Sequence, residues 1–426
     1  MCGITDFMRG MLIAGGLVLL ASFCFGQTRR LWVLRDSGEM VEYDPASFAV
    51  KQELKLPPEA AQSPQNVSVN RLGQILFVPT VSFPLADSDL QSSPKAWLWN
   101  GRAGSSLELG VKREVAKTGS NQAVTDTLAT ILLSADGAHL FWFANQQRRL
   151  QREDIDLSAT TSWQAWRTDL SGAGREDLTS ARLPDCTCST GACEESCPTG
   201  MVWAPDEGLA DFFVMSQFMA GKDEPSYKAS TIYREQDGKW TGTATAEPLR
   251  RLLDGTSNGD VVVEAIPDTG CCGWSNQSDD QTLVIANGKA TAVFDEQTTY
   301  KNADYDVSFY TSNARLSLDL KSVAMTIVAT AQANQPIQLS EQGQANPEES
   351  KQIRKSLAEL PAVDIKNIDD PAQKIAFLPR SLLVGWVGEK ELLLVEDHFL
   401  VNYNVATGAR KKSAVRVEDA GHVFLR

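Results

Sequence analysis

The sequence predicts an all-β repeat protein, a single β-propeller of seven blades closed by its own C-terminal strand. Three observations predict it: a hairpin pattern recurs along the chain, the first repeat lacks an inner strand, and a spare strand comes last. The recurring unit is a short apolar strand, a polar turn with Asp or Gly, and a second, more apolar strand. It reads VSVNRLGQILFVP from Val67, TILLSADGAHLFWFA from Thr130 and MVWAPDEGLADFFVM from Met201. It continues as GWSNQSDDQTLVIA from Gly273, ARLSLDLKSVAMTIVA from Ala314 and LVGWVGEKELLLVE from Leu383. In each copy β-forming residues flank a turn that Gly, Asp and Asn make easy, which is the pattern of a β-hairpin. Most copies lie about 40–70 residues apart, the spacing of propeller blades with insertions.

The outer strands follow. TSWQAWRTDLSGAGREDLTSA, from Thr161, reads as a strand ending at Asp169-Leu170, a Ser-Gly-Ala-Gly turn and a polar strand. Leu31–Pro57 reads as three strands without an inner one, and the chain ends in the lone strand GHVFLR. Gly421–Arg426 then supplies the missing strand of the first blade, which leaves the ring without an open sheet edge at the join. Six hairpins and this split blade make seven; six or eight blades stay open, because the fifth and sixth repeats are irregular. One segment, 346–361, breaks the β pattern. Pro347-Glu348-Glu349 opens a helix, Ile353, Leu357 and Leu360 share one face, and Pro361 ends it. A helical insertion packed on the ring is expected, with a partner-binding helix as the alternative.

Several segments resemble the TolB-like, WD40-like (PD40-type) propeller repeats. Trp203-Ala204-Pro205-Asp206 and Trp274-Ser275 are similar to that family's Trp-Ser-Pro-Asp-Gly turn, LSADG at Leu133 echoes it, and Asp169–Gly172 is similar to its outer Asp-Leu-Ser-Gly hairpin. The resemblance covers most of residues 31–426, with each copy degenerate. It implies a propeller fold and no catalytic set, because propellers host unrelated functions.

The first residues bear on the compartment. Arg9, an apolar run from Met11 to Phe25 and then Gly26 stand in secretory order, so residues 1–26 are expected to be a signal peptide and 27–426 the propeller. The run is shorter than the roughly 20 residues of a spanning helix. An uncleaved anchor and a lipid anchor at Cys24 are the alternatives, the second opposed by bulky Phe23. A periplasmic or secreted protein is expected. The formal net charge of −14 disfavours nucleic acid as a partner, and no stretch after the signal is apolar enough to span a bilayer.

Six cysteines remain after the signal: Cys186, Cys188, Cys193, Cys197, Cys271 and Cys272. An even count in an exported chain argues for disulfides, with connectivity open. Four of them sit in one loop, 185–198, whose spacing is not that of a zinc ribbon. Cys271-Cys272 are adjacent, and neighbouring Cα atoms are closer than disulfide geometry prefers, so each is expected to bond elsewhere. Adjacent cysteines also occur beside the cofactor of quinone-dependent propeller dehydrogenases, but the tryptophan-docking repeats of that family are missing. Both cysteine segments lead into hairpins of neighbouring blades. The expected result is a cross-linked, acidic rim carrying Asp185, Glu194 and Glu195.

Chemistry-bearing motifs are few. His139, His398 and His422 lie in or beside strands, and no Gly-x-Ser-x-Gly elbow, phosphate loop, dinucleotide fingerprint or two-histidine metal helix is present. Trp203, Trp274 and Trp386 hold the same place in three hairpins, where they either pack between blades or ring one channel mouth. The expectation is a non-catalytic module that binds an extracytoplasmic protein or small ligand, with no cofactor and no metal. The alternative is a propeller enzyme, a hydrolase, lyase or quinone-dependent dehydrogenase, with its site at the channel mouth.

Overall fold

The computed structural model describes residues 29–80, 94–118, 121–134, 137–152, 155–177, 186–189, 196–203, 212–220, 225–236, 239–244, 249–256, 259–265, 281–286, 288–295, 300–301, 305–333 and 355–426. Among them the strands form seven antiparallel sheets. The first holds Leu31–Leu34 (β1), Glu39–Tyr43 (β2), Val50–Lys55 (β3) and the chain's last strand, Val423–Leu425 (β31), in the order β3-β2-β1-β31. The second holds Val67–Val69 (β4), Ile75–Phe77 (β5), Lys95–Trp99 (β6) and Gly104–Glu108 (β7). The third runs Lys112–Thr118 (β8), Asn121–Leu133 (β9), His139–Arg152 (β10), Ile155–Asp169 (β11) and Glu176–Asp177 (β12), with Cys186–Ser189 (β13) added along β11. The fourth is Ser196–Trp203 (β14), Phe212–Ala220 (β15), Pro225–Gln236 (β16) and Lys239–Ala244 (β17). Leu249–Gly255 (β18), Val261–Ala265 (β19), Gln281–Ala286 (β20) and Lys289–Asp295 (β21) make the fifth. The sixth is Tyr300–Lys301 (β22), Tyr305–Leu316 (β23), Ser322–Ala333 (β24), Ala362–Asn367 (β25) and Lys374–Pro379 (β26). Leu382–Gly388 (β27), Glu391–Glu396 (β28), Phe399–Asn404 (β29) and Arg410–Arg416 (β30) make the seventh.

Continuous apolar runs such as LWVL in β1 follow from burial of both sheet faces. Trp32 and Leu34 join Phe424 against Val67, Ile75 and Phe77 of the second sheet. Leu31 and Val33 pack the other way, with Val384, Leu393 and Leu400 of the seventh. Similar cores join the second sheet to the third through Leu98, Leu107, Ile131 and Trp142, the fifth to the sixth through Val262, Val284, Val323 and Met325, and the sixth to the seventh through Val363, Ile365, Leu392 and Leu394. β13 lies against β14, and β15 against β18, so the third, fourth and fifth sheets also touch in sequence.

One turn recurs in the inner hairpins. In Asn70–Gly73, Ser134–Gly137, Thr256–Gly259 and Ser317–Leu320 the first carbonyl accepts the fourth N–H, at 2.9, 3.2, 3.0 and 2.9 Å. The first side chain also accepts a backbone N–H farther on: Gln74 to Asn70 Oδ1, His139 to Ser134 Oγ, Asp260 to Thr256 Oγ1 and Ser322 to Ser317 Oγ. The fourth residue has φ of 76°, 69°, 90° and 57°. Gly meets that demand three times and Leu320 carries it as an exception.

One sequence expectation changes. The segment from Gly273 is not an inner hairpin: Gln281–Ala286 is the third strand of its sheet, and the hairpin is Leu249–Gly255 with Val261–Ala265. The apolar run VVVEA and the Thr256–Gly259 turn dictate that assignment. The helical insertion is seen at 355–359, where Leu357 and Leu360 pack on the sixth sheet's core; 334–354 lie outside the described residues.

Candidate functional site

The expected cysteine and acidic rim falls largely outside the described residues: Asp185, Cys193, Glu194, Glu195, Cys271, Cys272 and Trp274 all do. Cys186 and Cys188 occupy alternate positions of β13, in register with Thr161 and Ala159 of β11. Cys197 and Trp203 lie in β14, opposite Phe218 and Phe212. The two strands that carry these three cysteines therefore touch. Trp386 is 2% exposed, in the core between the sixth and seventh sheets.

Among the described residues, side chains also link the ends of strands in five of the neighbouring sheet pairs. An innermost strand has one edge unpaired by its own sheet, so its carbonyls need partners. Side chains of neighbouring sheets provide them. Arg426 Nε donates to Val69 O at 2.7 Å, and Asn70 Nδ2 to Ser134 O at 3.2 Å, linking the first sheet to the second and the second to the third. Gln74 Nε2 adds a bond to Gly137 O at 3.0 Å. Arg315 Nη1 donates to Leu253 O at 2.6 Å, Trp386 Nε1 to Arg315 O at 3.0 Å, and Arg29 Nη1 to Trp386 O. These join the fifth to the sixth, the sixth to the seventh, and the seventh to the residues just before β1. Asp254 Oδ2 accepts from Leu316 N at 2.7 Å, and Thr282 Oγ1 donates to Thr311 Oγ1 at 2.9 Å.

Arg30 and Arg426 stand opposite each other, exchanging both backbone hydrogen bonds. Arg30 Nε lies 3.7 Å from the buried Glu42 carboxylate, and its guanidinium rests against Gly73, where a Cβ would come within 2.0 Å of Nη1. Gly73 is required by its φ of 76°, and a side chain there would also displace the Arg30 guanidinium. Sequence reading missed these contacts, because Arg29, Arg30, Arg315 and Arg426 share no spacing and their partners are set only by the sheet order.

Elsewhere, Asp364 sits 3.6 Å from Lys374 and 3.9 Å from Lys366, whose Nζ donates to Val293 O of the fifth sheet at 2.6 Å. Burial pushes the Asp364 carboxyl up and the Lys366 ammonium down, each against the stabilising charge of the other. His398 Nδ1 lies 3.1 Å from Glu418 O, and His422 Nδ1 2.9 Å from the carboxylate of Asp419, which also caps Gly421 N. These are turn and cap contacts. Among the described residues no group of three or more His, Cys, Asp or Glu side chains is placed to hold a metal ion. No described helix is long and apolar enough to cross a membrane.

No family model matches the chain, and no curated protein matches it. Among solved structures it is similar to a dihydro-heme d1 dehydrogenase, NirN, in complex with DHE, at 8% identity and a TM-score of 0.28, covering 83% of this chain and 74% of that one. It is also similar to Porphyromonas gingivalis dipeptidyl peptidase 4, at 12% identity and a TM-score of 0.22, covering 85% and 68%. At these scores neither likeness bears on the fold, which rests on the sheets themselves.

Proposed function

We propose that the chain is an exported, seven-bladed β-propeller of TolB-like type, its ring closed by β31, that serves as a non-catalytic binding or scaffolding module outside the cytoplasm. The observation that carries the reading is the cyclic order of contact. Each sheet lies against the next along the chain, and the seventh lies against the first, whose innermost strand is the chain's last. Such a ring is a rigid platform, and platforms of this kind present loops. The recurring Ser/Thr/Asn-x-x-Gly inner turn supports the family resemblance.

The binding face of this reading is the side where the innermost strands begin. β9 and β23 are long strands, of 13 and 12 residues. Segment 190–195 leads into the start of β14, and segment 266–280 joins β19 to β20, a second-to-third-strand connection. The start of β14 and the junction of β19 with β20 lie at corresponding ends of their antiparallel sheets, which supports a reading in which the cysteine segments share a side. Disulfides among them would stiffen the acidic rim of Asp185, Glu194 and Glu195.

The experiment is N-terminal sequencing of exported protein together with non-reducing peptide mapping. A start near Gln27 and at least one cross-link between 186–197 and 271–272 are the expected results. Retention of Met1 in a membrane fraction would overturn the export reading. Free thiols at Cys271 and Cys272, or stoichiometric zinc, would overturn the rim.

A further inference from the structure

The outermost strands differ in how their free edges are guarded. Such a strand offers a row of backbone N–H and C=O groups to any passing chain, and proteins blunt it with charge, Pro or a bulge. β3 carries Lys51 and Lys55, β21 Lys289, β26 Lys374 and Pro379, and β30 Arg410, Lys411, Lys412 and Arg416. All four also have a register shift in their pairing. β17 opens with Lys239, and β12 is two residues long.

β7 is guarded only by a single charge, Glu108 at its end. Its sequence, GSSLE, lacks Lys, Arg and Pro, and it pairs with β6 without a shift from Lys95↔Glu108 to Trp99↔Gly104. Gly104, Ser105, Ser106 and Glu108 are exposed, and Leu107 alone turns inward. Among the described residues its backbone bonds run to β6 alone. At Gly104 a Cβ would approach the Trp97 indole within 2.9 Å.

We propose that β7 is a strand-addition edge that pairs with β7 of a second copy of this chain, antiparallel about a two-fold axis at Ser106. The inference rests on the second sheet alone and is independent of ring closure and of the binding reading above. In this register Ser106 faces its own counterpart, Ser105 faces Leu107, and Gly104 faces Glu108. No like charges meet. The exposed Glu108 falls diagonal to Arg102, in the exposed turn before β7, and the symmetry repeats that opposite-charge pair. No other described outermost strand of comparable length offers a self-complementary edge free of Lys and Arg. Pairing of five residues buries much less than the roughly 1,200 Å² of a stable complex, so the dimer is weak, with Kd on the order of 10⁻⁴ M.

Sedimentation from about 10 μM to about 1 mM brackets that affinity. The parent chain is expected to pass from monomer to dimer across the range. Ser106→Lys sets two ammonium groups face to face and is expected to weaken the dimer at least about tenfold, with melting unchanged because Ser106 is exposed. Arg102→Glu and Glu108→Arg should each weaken it, and the double exchange should restore it. A parent chain that stays monomeric at the highest concentration overturns the proposal. So does a Ser106→Lys variant that dimerises as the parent does, or a double exchange that fails to restore pairing.

Discussion

Arg113 and Asp126 face each other across β8 and β9, with Nε to Oδ1 at 2.6 Å and Nη2 to Oδ2 at 2.9 Å. Their side chains are only 8% and 7% exposed. Two charges taken so far out of water are held by geometry, and the two-pronged contact supplies it. Removing one partner is far worse than removing both. Asp126→Ala should therefore cost about 3–5 kcal/mol, whereas Arg113→Met with Asp126→Leu should recover most of that loss. Urea midpoints at constant slope measure both, and a single variant costing no more than the double would refute the pair's role. Neither residue stands out in the sequence, where KREVAKT and NQAVTDT read as ordinary polar strands; the pairing register alone makes them a couple. Trp386 is the converse case. Its sequence position left packing and channel lining open, and its burial with an indole bond to Arg315 O answers for packing.

The outer hairpins show how one turn chemistry serves several elements. Asp44, Asn100, Asp169, Asn367 and Asn404 each end the third strand of a sheet and accept two backbone N–H bonds from the turn that follows. Asp and Asn serve equally, because only a side-chain oxygen is needed. Both aspartates are lowered by these bonds: Ser171 and the Ala173 backbone lower Asp169, and the Ser47 backbone and hydroxyl hold the Asp44 carboxyl at about 2. A carboxyl lowered in the folded state adds stability that is present above its ordinary pKa of about 4 and is lost as pH falls through about 2. Asp44→Asn should leave stability near pH 7 within about 0.5 kcal/mol and flatten its fall between those two values. Thermal melts from pH 7 to pH 2 test this; an unchanged acid limb would refute it. The sequence shows one of these turns plainly, TDLSGAG at Asp169. NVATGA escapes because the exposed outer strand β30 lacks the apolar alternation that marks a hairpin, whereas DPASFA falls within the three strands read over Leu31–Pro57. In the fifth sheet VVVEA and QTLVIA are both apolar, so pattern alone chose the wrong pair, although Thr256-Ser257-Asn258-Gly259 marked the right one.

At the scale of the molecule the decisive strand is a short one. β31 has three residues, and all three, Val423, Phe424 and Leu425, are buried. Phe424 fills the core shared with the second sheet, and Val423 and Leu425 the core shared with the seventh. Arg426 extends the latch by its backbone exchange with Arg30 and by its bond to Val69 O. This much was legible in the sequence, since a first repeat short of a strand and an unpaired GHVFLR imply each other. The long strands of the third sheet and the arginine contacts were not, because they depend on which sheets become neighbours. Three buried apolar side chains at about 1.5–3 kcal/mol each are worth roughly 5–9 kcal/mol, comparable with the whole stability of about 5–15 kcal/mol typical of a folded domain. Deleting Gly421–Arg426 should therefore leave a chain that aggregates through the exposed edge of β1 or melts far below the parent. Phe424→Ala, which keeps the backbone pairing, should cost a smaller amount, about 3–5 kcal/mol. A large gap between the two variants is the signature of a latch made of strand and core together. If the deletion melted no lower than Phe424→Ala, the paired backbone would contribute nothing, and closure by β31 would have to be abandoned.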